Sequence, residues 1–287
     1  MRAEDFDLIA KILKERSGLI VTADKSYLLE SRLTPVARRR GMKGLDDLLG
    51  SLRAASEDLL REITEAMTTN ESFFFRDIKP FELFRTAALP QMLQARAAKK
   101  SFRIWSAACS SGQEAYSLAM ILKEEAARLA GWKIEIVGTD ISAEMLEKAK
   151  AGLYSQFEVQ RGLPIQLLVK YFKKNNEMWQ IDPSIRAMVQ YRDFNLLGDP
   201  KSLGQFDIVF CRNVLIYFDQ PTKARVLDAI SRNMPDDGLL YLGGAETVLG
   251  ISDRFRPVPD QRGVYAVNRG GNGAPAAGVA SLFSGGR

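Results

Sequence analysis

Apolar positions recur at helical spacing through the first hundred residues and then give way to short unbroken runs. Phe6, Ile9 and Leu13 share one helical face before Gly18, Leu45, Leu48, Leu49 and Leu52 repeat the pattern, and Leu59, Leu60, Ile63 and Met67 follow a predicted N-cap at Ser56. No strand pattern precedes residue 100. From Phe102 the chain alternates: a strand FRIWSAAC, a helix through Tyr116 to Leu129, a strand KIEIVGTD, and a helix from Ser142 to near Gly152. FDIVFC, residues 206–211, reads as a central strand, QPTKARVLDAISRNM as a helix, PDDG as a turn, and LLYLGGAE and GVYAVNR as two more strands. This βαβα order predicts an α/β fold with a mostly parallel sheet and right-handed crossovers, preceded by an all-helical region. The Gly-, Ala- and Ser-rich tail, 269–287, is expected to be disordered.

Composition narrows the chemistry. The chain has no histidine and two cysteines, Cys109 and Cys211, so it cannot build a disulfide framework or a zinc site of four nitrogen and sulfur ligands, and Ser-His and Cys-His mechanisms are ruled out. No metal is expected. No apolar stretch reaches the roughly 20 residues of a membrane span, which predicts a soluble, cytoplasmic protein without membrane insertion. The net charge of +5 is modest for 287 residues, but Lys25, Arg32, Arg38, Arg39, Arg40 and Lys43 face only Glu30 in one short stretch. A solvated face, a nucleic-acid contact and a dock for an acidic protein surface compete there. No aromatics interleave with these cations, which leaves nucleic acid the weakest of the three.

Three stretches carry candidate chemistry. RNVLIYFD, Arg212 to Asp219, follows a buried strand at the sheet edge where α/β proteins bind ligands, and places the Tyr217 phenol and the Asp219 carboxylate on a loop. SAACSSGQE, residues 106–114, has small residues for close ligand approach but a single glycine, Gly112, so it makes no GxGxxG. Asp140 ends the next strand, where an acid binds the ribose hydroxyls of adenosine-containing ligands or else caps the helix at Ser142. No GxxxxGK[ST] exists. Together these features suit S-adenosylmethionine better than NAD or ATP. In NESFFFRD, Phe73 to Phe75 are expected in packing, while Asn70, Ser72 and Arg76, if the segment is extended, project to one side toward an anionic ligand. The competing reading is a polar helix start capped by Asn70.

The ordered set NESFFFRD, IWSAACSSGQEAYSLAM, GTDIS, DFNLL, FCRNVLIYFD and LGGAE resembles the bacterial chemotaxis receptor methyltransferase (CheR) family over roughly residues 5 to 268. The resemblance implies a helical N-terminal domain, 1–75, and a Rossmann-like methyltransferase domain, 76–268, whose sheet ends in an antiparallel strand and which carries a small β subdomain near 170–192. It also implies methyl transfer from S-adenosylmethionine to glutamates on chemoreceptor cytoplasmic helices. Residues matching the family's cofactor contacts are Asn70, Ser72, Arg76, Glu114, Asp140, Asn195, Leu196, Cys211, Arg212 and Asn213. Arg212 and Tyr217 match residues near the transferred methyl, which makes Arg212 the candidate for holding the incoming carboxylate and Tyr217 for orienting it or lining the methyl path. Receptor docking falls to Arg32, Arg38, Arg39 and Arg40. Ser72 stands where threonine is frequent, Gln113 where glutamate is common, and DIKPF where relatives often carry histidine. Some members capture a receptor C-terminal peptide with a glycine-containing loop. The corresponding KKNNEMWQIDP has no glycine, so no peptide tether is expected. Two other readings stay open: a non-catalytic S-adenosylmethionine-sensing module and a methyltransferase for small carboxylic acids.

Overall fold

A computed structural model describes residues 2–270. Residues 271–287, most of the tail expected to be disordered, lie outside the described residues. The chain opens with four helices, α1 (Ala3–Ser17), α2 (Ser26–Arg39), α3 (Leu45–Ser51) and α4 (Glu57–Met67). Ser56 caps α4 as its sequence predicts, its hydroxyl accepting the Leu59 amide at 3.3 Å. The apolar stripes of these helices meet in a core of their own, built on Ile9, Leu13, Leu29, Leu33 and Ile63.

Two short helices, α5 (Lys79–Leu83) and α6 (Leu89–Ala95), joined by a wider-wound turn at Phe84–Ala88, lead into the sheet. There follow β1 (Ser101–Ala107), α7 (Gln113–Glu124), β2 (Lys133–Asp140) and α8 (Ala143–Ala151). The sequence carried α7 to Leu129, but it stops at Glu124. Beyond it the Ala126 and Arg128 amides reach back only three residues, to Lys123 and Glu125, so the chain turns there.

Next come β3 (Leu153–Ser155), α9 (Gln156–Gln160), α10 (Ile165–Tyr171), β4 (Phe172–Asn175), β5 (Met178–Ile181), α11 (Pro183–Arg186) and β6 (Val189–Asp193). The remainder is β7 (Ile208–Phe210), α12 (Gln220–Arg232), β8 (Leu239–Tyr241), β9 (Phe255–Pro257) and β10 (Val264–Val267).

The main sheet has the order β6-β2-β1-β7-β8-β10-β9, with β6 through β8 parallel and β10 antiparallel to both its neighbours. Along β1 and β7, Ile104, Ile208 and Phe210 enter one core while Trp105 and Val209 enter the other. Burial on both faces is why these strands read as unbroken apolar runs. The small β subdomain differs from its expected extent of 170–192. It is the antiparallel sheet β3-β5-β4, beginning at Leu153. Residues 189–193 instead pair with β2, Ile136 opposite Val189 and Asp140 opposite Asp193, as the edge of the main sheet. The polar VQYRD hides that role, because an edge strand needs only one apolar face.

Candidate functional site

The carboxyl ends of four parallel strands converge on one cavity. It is lined from the turn after β1 (Ala108, Cys109, Ser110), the start of α7 (Glu114), the end of β2 (Asp140, Ile141), the loop after β6 (Phe194, Asn195, Leu196) and the turn after β7 (Arg212, Asn213, Tyr217). Residues 68–73 with Arg76, Ser17 at the end of α1 and Leu19 just beyond it complete the wall. The space amounts to about 990 Å³ counted to its open mouth, a size suited to a cofactor. Every candidate cofactor residue except Cys211 lines it. Cys211 is wholly buried behind the wall, where its backbone amide continues the sheet to the Tyr241 carbonyl at 2.9 Å.

Arg76 arrives by a route the sequence did not indicate. Residues 69–73 have no regular structure and 74–77 form a turn with Phe75 and Asp77 in the left-handed region, so the turn rather than even spacing returns Arg76 to the cavity. Phe74 and Phe75 pack as expected, Phe74 edge-on to Tyr154 at 5.0 Å and Phe75 to Phe81 at 5.3 Å. Phe73 does not join them. It lines the cavity, with the guanidinium groups of Arg161 and Arg76 over its ring at 4.2 and 5.4 Å.

The electrostatics reassign the two arginines. Arg212 was expected to meet an incoming carboxylate, but its side chain is 1% exposed and already committed. Nη1 bonds Glu114 at 3.0 Å, and Nη2 bonds Asp77 at 2.7 Å and the Arg76 carbonyl at 2.8 Å. Only its Nε is left buried and unpaired. Glu114 is held from its other side by the Ser106 hydroxyl at 2.8 Å. Asp77, which holds Arg212, has no sequence signal beyond the motif it sits in. Arg76 donates to the Glu71 carbonyl at 2.8 Å and, among the described residues, pairs with no carboxylate. It is the cavity's available guanidinium.

Asp140 is buried, and its two oxygens accept the Ser110 amide at 2.7 Å and the Ser142 amide at 2.9 Å. Burial raises its pKa above the ordinary carboxylate value, against the pull of these amides. Each carboxylate oxygen has a second lone pair, so Asp140 can still accept hydroxyls from the cavity. The helix cap it competed for belongs to Ser142, whose hydroxyl accepts the Met145 amide. Asn195 spends its side-chain amide on the Arg16 carbonyl and the Leu197 amide, so it ties the helical region to the sheet. Burial pushes the Cys109 thiol well up, which leaves it a wall rather than a nucleophile.

The helical region closes the cavity from above. The Ile20 amide donates to the Tyr217 carbonyl at 3.0 Å, Lys14 meets Asp219 at 2.7 Å, Arg61 meets Asp193 at 2.7 Å, and Glu65 accepts the Ala143 amide at 3.1 Å. Gly18 lies against Phe218, which a Cβ would meet at 3.0 Å. Among the docking candidates, Arg32 is turned inward onto the Met67 and Thr68 carbonyls at 2.7 and 3.0 Å, and Arg39 and Arg40 share Glu62. Arg38 alone of the four is exposed without an ion pair among the described residues.

Residues 4–68 match the model of the CheR methyltransferase all-alpha domain, and residues 70–264 that of the CheR methyltransferase SAM-binding domain. The chain belongs to the CheR family of chemotaxis methyltransferases. It is 40% identical to chemotaxis protein methyltransferase 1 of Pseudomonas aeruginosa over 264 residues, covering 91% of this chain and 96% of the relative. A chemotaxis protein methyltransferase of Pseudomonas putida is 39% identical (91% and 96%), and one of Vibrio parahaemolyticus is 36% identical (91% and 95%). The cavity of this CheR-family chain fits S-adenosylmethionine. A buried acid with free acceptor capacity ends β2, small residues form the first turn, the unpaired Arg76 guanidinium lies at the rim, and the buried Arg212 Nε is an unused donor. Among the described residues, no helix is long and apolar enough to cross a membrane.

Proposed function

We propose that the chain transfers a methyl group from S-adenosylmethionine to glutamate side chains on the cytoplasmic helices of a chemoreceptor, working in the cytoplasm as a protein-glutamate O-methyltransferase and producing the methyl esters of chemotactic adaptation. The observation that carries this reading is the Tyr217 phenol. It lines the cofactor cavity, half-buried, on the turn after β7, and makes no side-chain hydrogen bond among the described residues, so it is available to an incoming carboxylate. Bound S-adenosylmethionine supplies a methyl group on an activated sulfonium. A glutamate side chain, with a pKa of about 4.3, is already an anion at neutral pH, so no base is required and the absent histidine is no obstacle.

The residues therefore align rather than activate. Asp140 accepts ribose hydroxyls. Arg76 takes the cofactor's carboxylate, and Asn70, Ser72, Asn195, Leu196 and Asn213 enclose the remainder. Arg212, with Glu114 and Asp77, forms a fixed floor, and Tyr217 orients the acceptor oxygen. Acidic receptor helices meet the exposed Arg38 first, and Arg39 and Arg40, half-neutralised by Glu62, contribute less. The β4–β5 hairpin turns through Asn176 in the left-handed region (φ 54°) with no loop to spare, which supports docking without a receptor-tail peptide.

The test is incubation with labelled S-adenosylmethionine and receptor membranes, scored as base-labile label on receptor. The expected result is transfer that Arg38→Glu and added salt both reduce and that a receptor-tail peptide does not compete. Esterification of small carboxylic acids with none on receptor would overturn the reading, and so would binding without transfer.

A further inference from the structure

We infer that Glu246 is a positioning residue for the methyl transfer, holding the turn between β7 and α12 so that Tyr217 faces the cavity. The inference rests on the role proposed for Tyr217 and goes beyond it. Glu246 follows β8 and does not line the cavity. It is buried, at 9% exposure, and among the described residues no arginine or lysine pairs with it. A buried carboxylate without a cation needs other compensation, and here four backbone amides provide it. Oε2 accepts Asn213 at 2.7 Å and Gly243 at 2.7 Å, and Oε1 accepts Val214 at 3.0 Å and Leu215 at 2.7 Å.

Three of those donors are consecutive residues of the turn that runs from Arg212 to Tyr217. Such a turn is not an intrinsically favoured shape. Asn213 sits in the left-handed region at φ 60°, which asparagine tolerates better than most residues but which the surroundings must still select over its commoner conformations. One anion gathering three successive N–H groups selects it, because charge-assisted bonds of this kind are shorter and stronger than neutral ones and three of them fix the direction of three successive amides. Gly243 belongs to the same device. A Cβ there would lie 2.6 Å from Asn213 Nδ2 and 2.8 Å from Glu246 Oε2, so only glycine lets the two strand ends approach this closely. From the opposite side the Ile20 amide holds the Tyr217 carbonyl. The turn is thus fixed at both ends, by a carboxylate below and by the helical region above.

The chemistry requires a carboxylate here and not an amide. Glutamine offers one acceptor oxygen, and its NH₂ would face two of the four donors, replacing attraction with repulsion.

The experiment is a double-mutant cycle on receptor methylation, with Glu246→Gln, Tyr217→Phe and the combination, alongside cofactor titration and melting curves. Glu246→Gln is expected to lower kcat by about 10²-fold, the cost of displacing a reacting group by on the order of 1 Å, with cofactor affinity changed far less. Because Glu246 acts through Tyr217, the combined variant should turn over no more slowly than Tyr217→Phe alone. An impaired Tyr217→Phe whose loss multiplies with that of Glu246→Gln would overturn the inference and leave the role of Tyr217 standing. A fully active Tyr217→Phe would remove that role and the inference with it. Should Glu246→Gln fail to fold, Gly243→Ala, which wedges Asn213 from Glu246, carries the same cycle with the same expected and overturning results.

Discussion

Replacing Arg212 separates a floor from a clamp. In Arg212→Ala the Glu114 carboxylate, 13% exposed, loses its guanidinium and keeps only the Ser106 hydroxyl. Breaking a buried ion pair by removing one partner costs about 3–5 kcal/mol. Asp77 is 48% exposed and rehydrates when released, so its share stays under about 1 kcal/mol. The Arg76 carbonyl, one more acceptor set free, belongs to a turn that already strains Phe75, Asp77 and Ile78 into the left-handed region. At about 2–4 °C per kcal/mol for a chain of this size, the melting temperature should fall on the order of 10 °C. Arg212→Lys should recover little of this, since one ammonium cannot span two acids and a carbonyl set around a planar fork.

Melting curves with and without S-adenosylmethionine, and acceptor kinetics on whatever stays folded, provide the assay. A floor predicts lost stability together with weakened cofactor binding, because Glu114 and the 74–77 turn both border the cavity. A clamp on the incoming glutamate predicts an unchanged melting temperature and a raised acceptor KM. An Arg212→Ala protein that melts with the parent would refute the reasoning.

Two further outcomes follow from the charged groups of the site. Asp140→Asn should weaken S-adenosylmethionine binding about tenfold or more and cost about 1–3 kcal/mol of stability, since the new amide faces the Ser110 or Ser142 N–H. The parent should also lose affinity on acidification, at a higher pH than an ordinary aspartate would dictate, because burial raises the Asp140 pKa and the proposed ribose contact uses the anion. Calorimetric titration across pH checks both, and the Asn variant should lack that acid limb. Asp219 behaves in the opposite sense. Lys14 and the Thr222 N–H and hydroxyl hold its pKa down to about 2 from 3.8, so its stabilisation is complete above about pH 4 and is lost as pH falls toward 2. In Lys14→Met that acid dependence should shrink by under about 1 kcal/mol, the scale of an exposed pair. Acid unfolding curves with identical dependence in both proteins would contradict it.

The legible parts of the fold were those in which burial on a face leaves a period. Helices α1, α3 and α4 and strands β1, β2 and β7 announce themselves through Ile9, Leu13, Leu48, Ile63, Ile104, Ile136 and Val209, whereas α2 shows in the sequence mainly as a run of basic charges. Strand β6 does not announce itself, because an edge strand of sequence VQYRD buries one face only, and so nothing in that stretch separates it from the β subdomain expected near 170–192. The site was legible as a set of positions but not as a set of partners. Arg212 and Arg76 are indistinguishable guanidinium groups in sequence. Only the fold shows that one is enclosed by Asp77 and Glu114 while the other is left at the rim. Likewise Arg32 belongs to the same basic helix as Arg38, yet it faces inward to end α4.

Backbone strain joins the fold to the chemistry. Among the described residues nine that are not glycine have positive φ, and six of them, Phe75, Asp77, Ile78, Ala108, Ser110 and Asn213, belong to the turns that surround this cavity. Such a conformation costs about 1–3 kcal/mol, less for Asn and Asp, and persists because its surroundings impose it, and here the surroundings can be named. Asp140 binds the Ser110 amide, Arg212 binds Asp77, and Glu246 binds Asn213. All three pairs set a buried or half-buried charge against a turn whose shape it fixes. The proposed esterification, which needs no base, gains most from such an arrangement, since its rate depends on holding an oxygen, a methyl carbon and a sulfur in line. Asp140, Arg212 and Glu246 thus fix the backbone that carries the proposed ligand contacts, and the Tyr217 hydroxyl, unpaired among the described residues on the turn that Glu246 holds, is the group the proposed reading assigns to the acceptor.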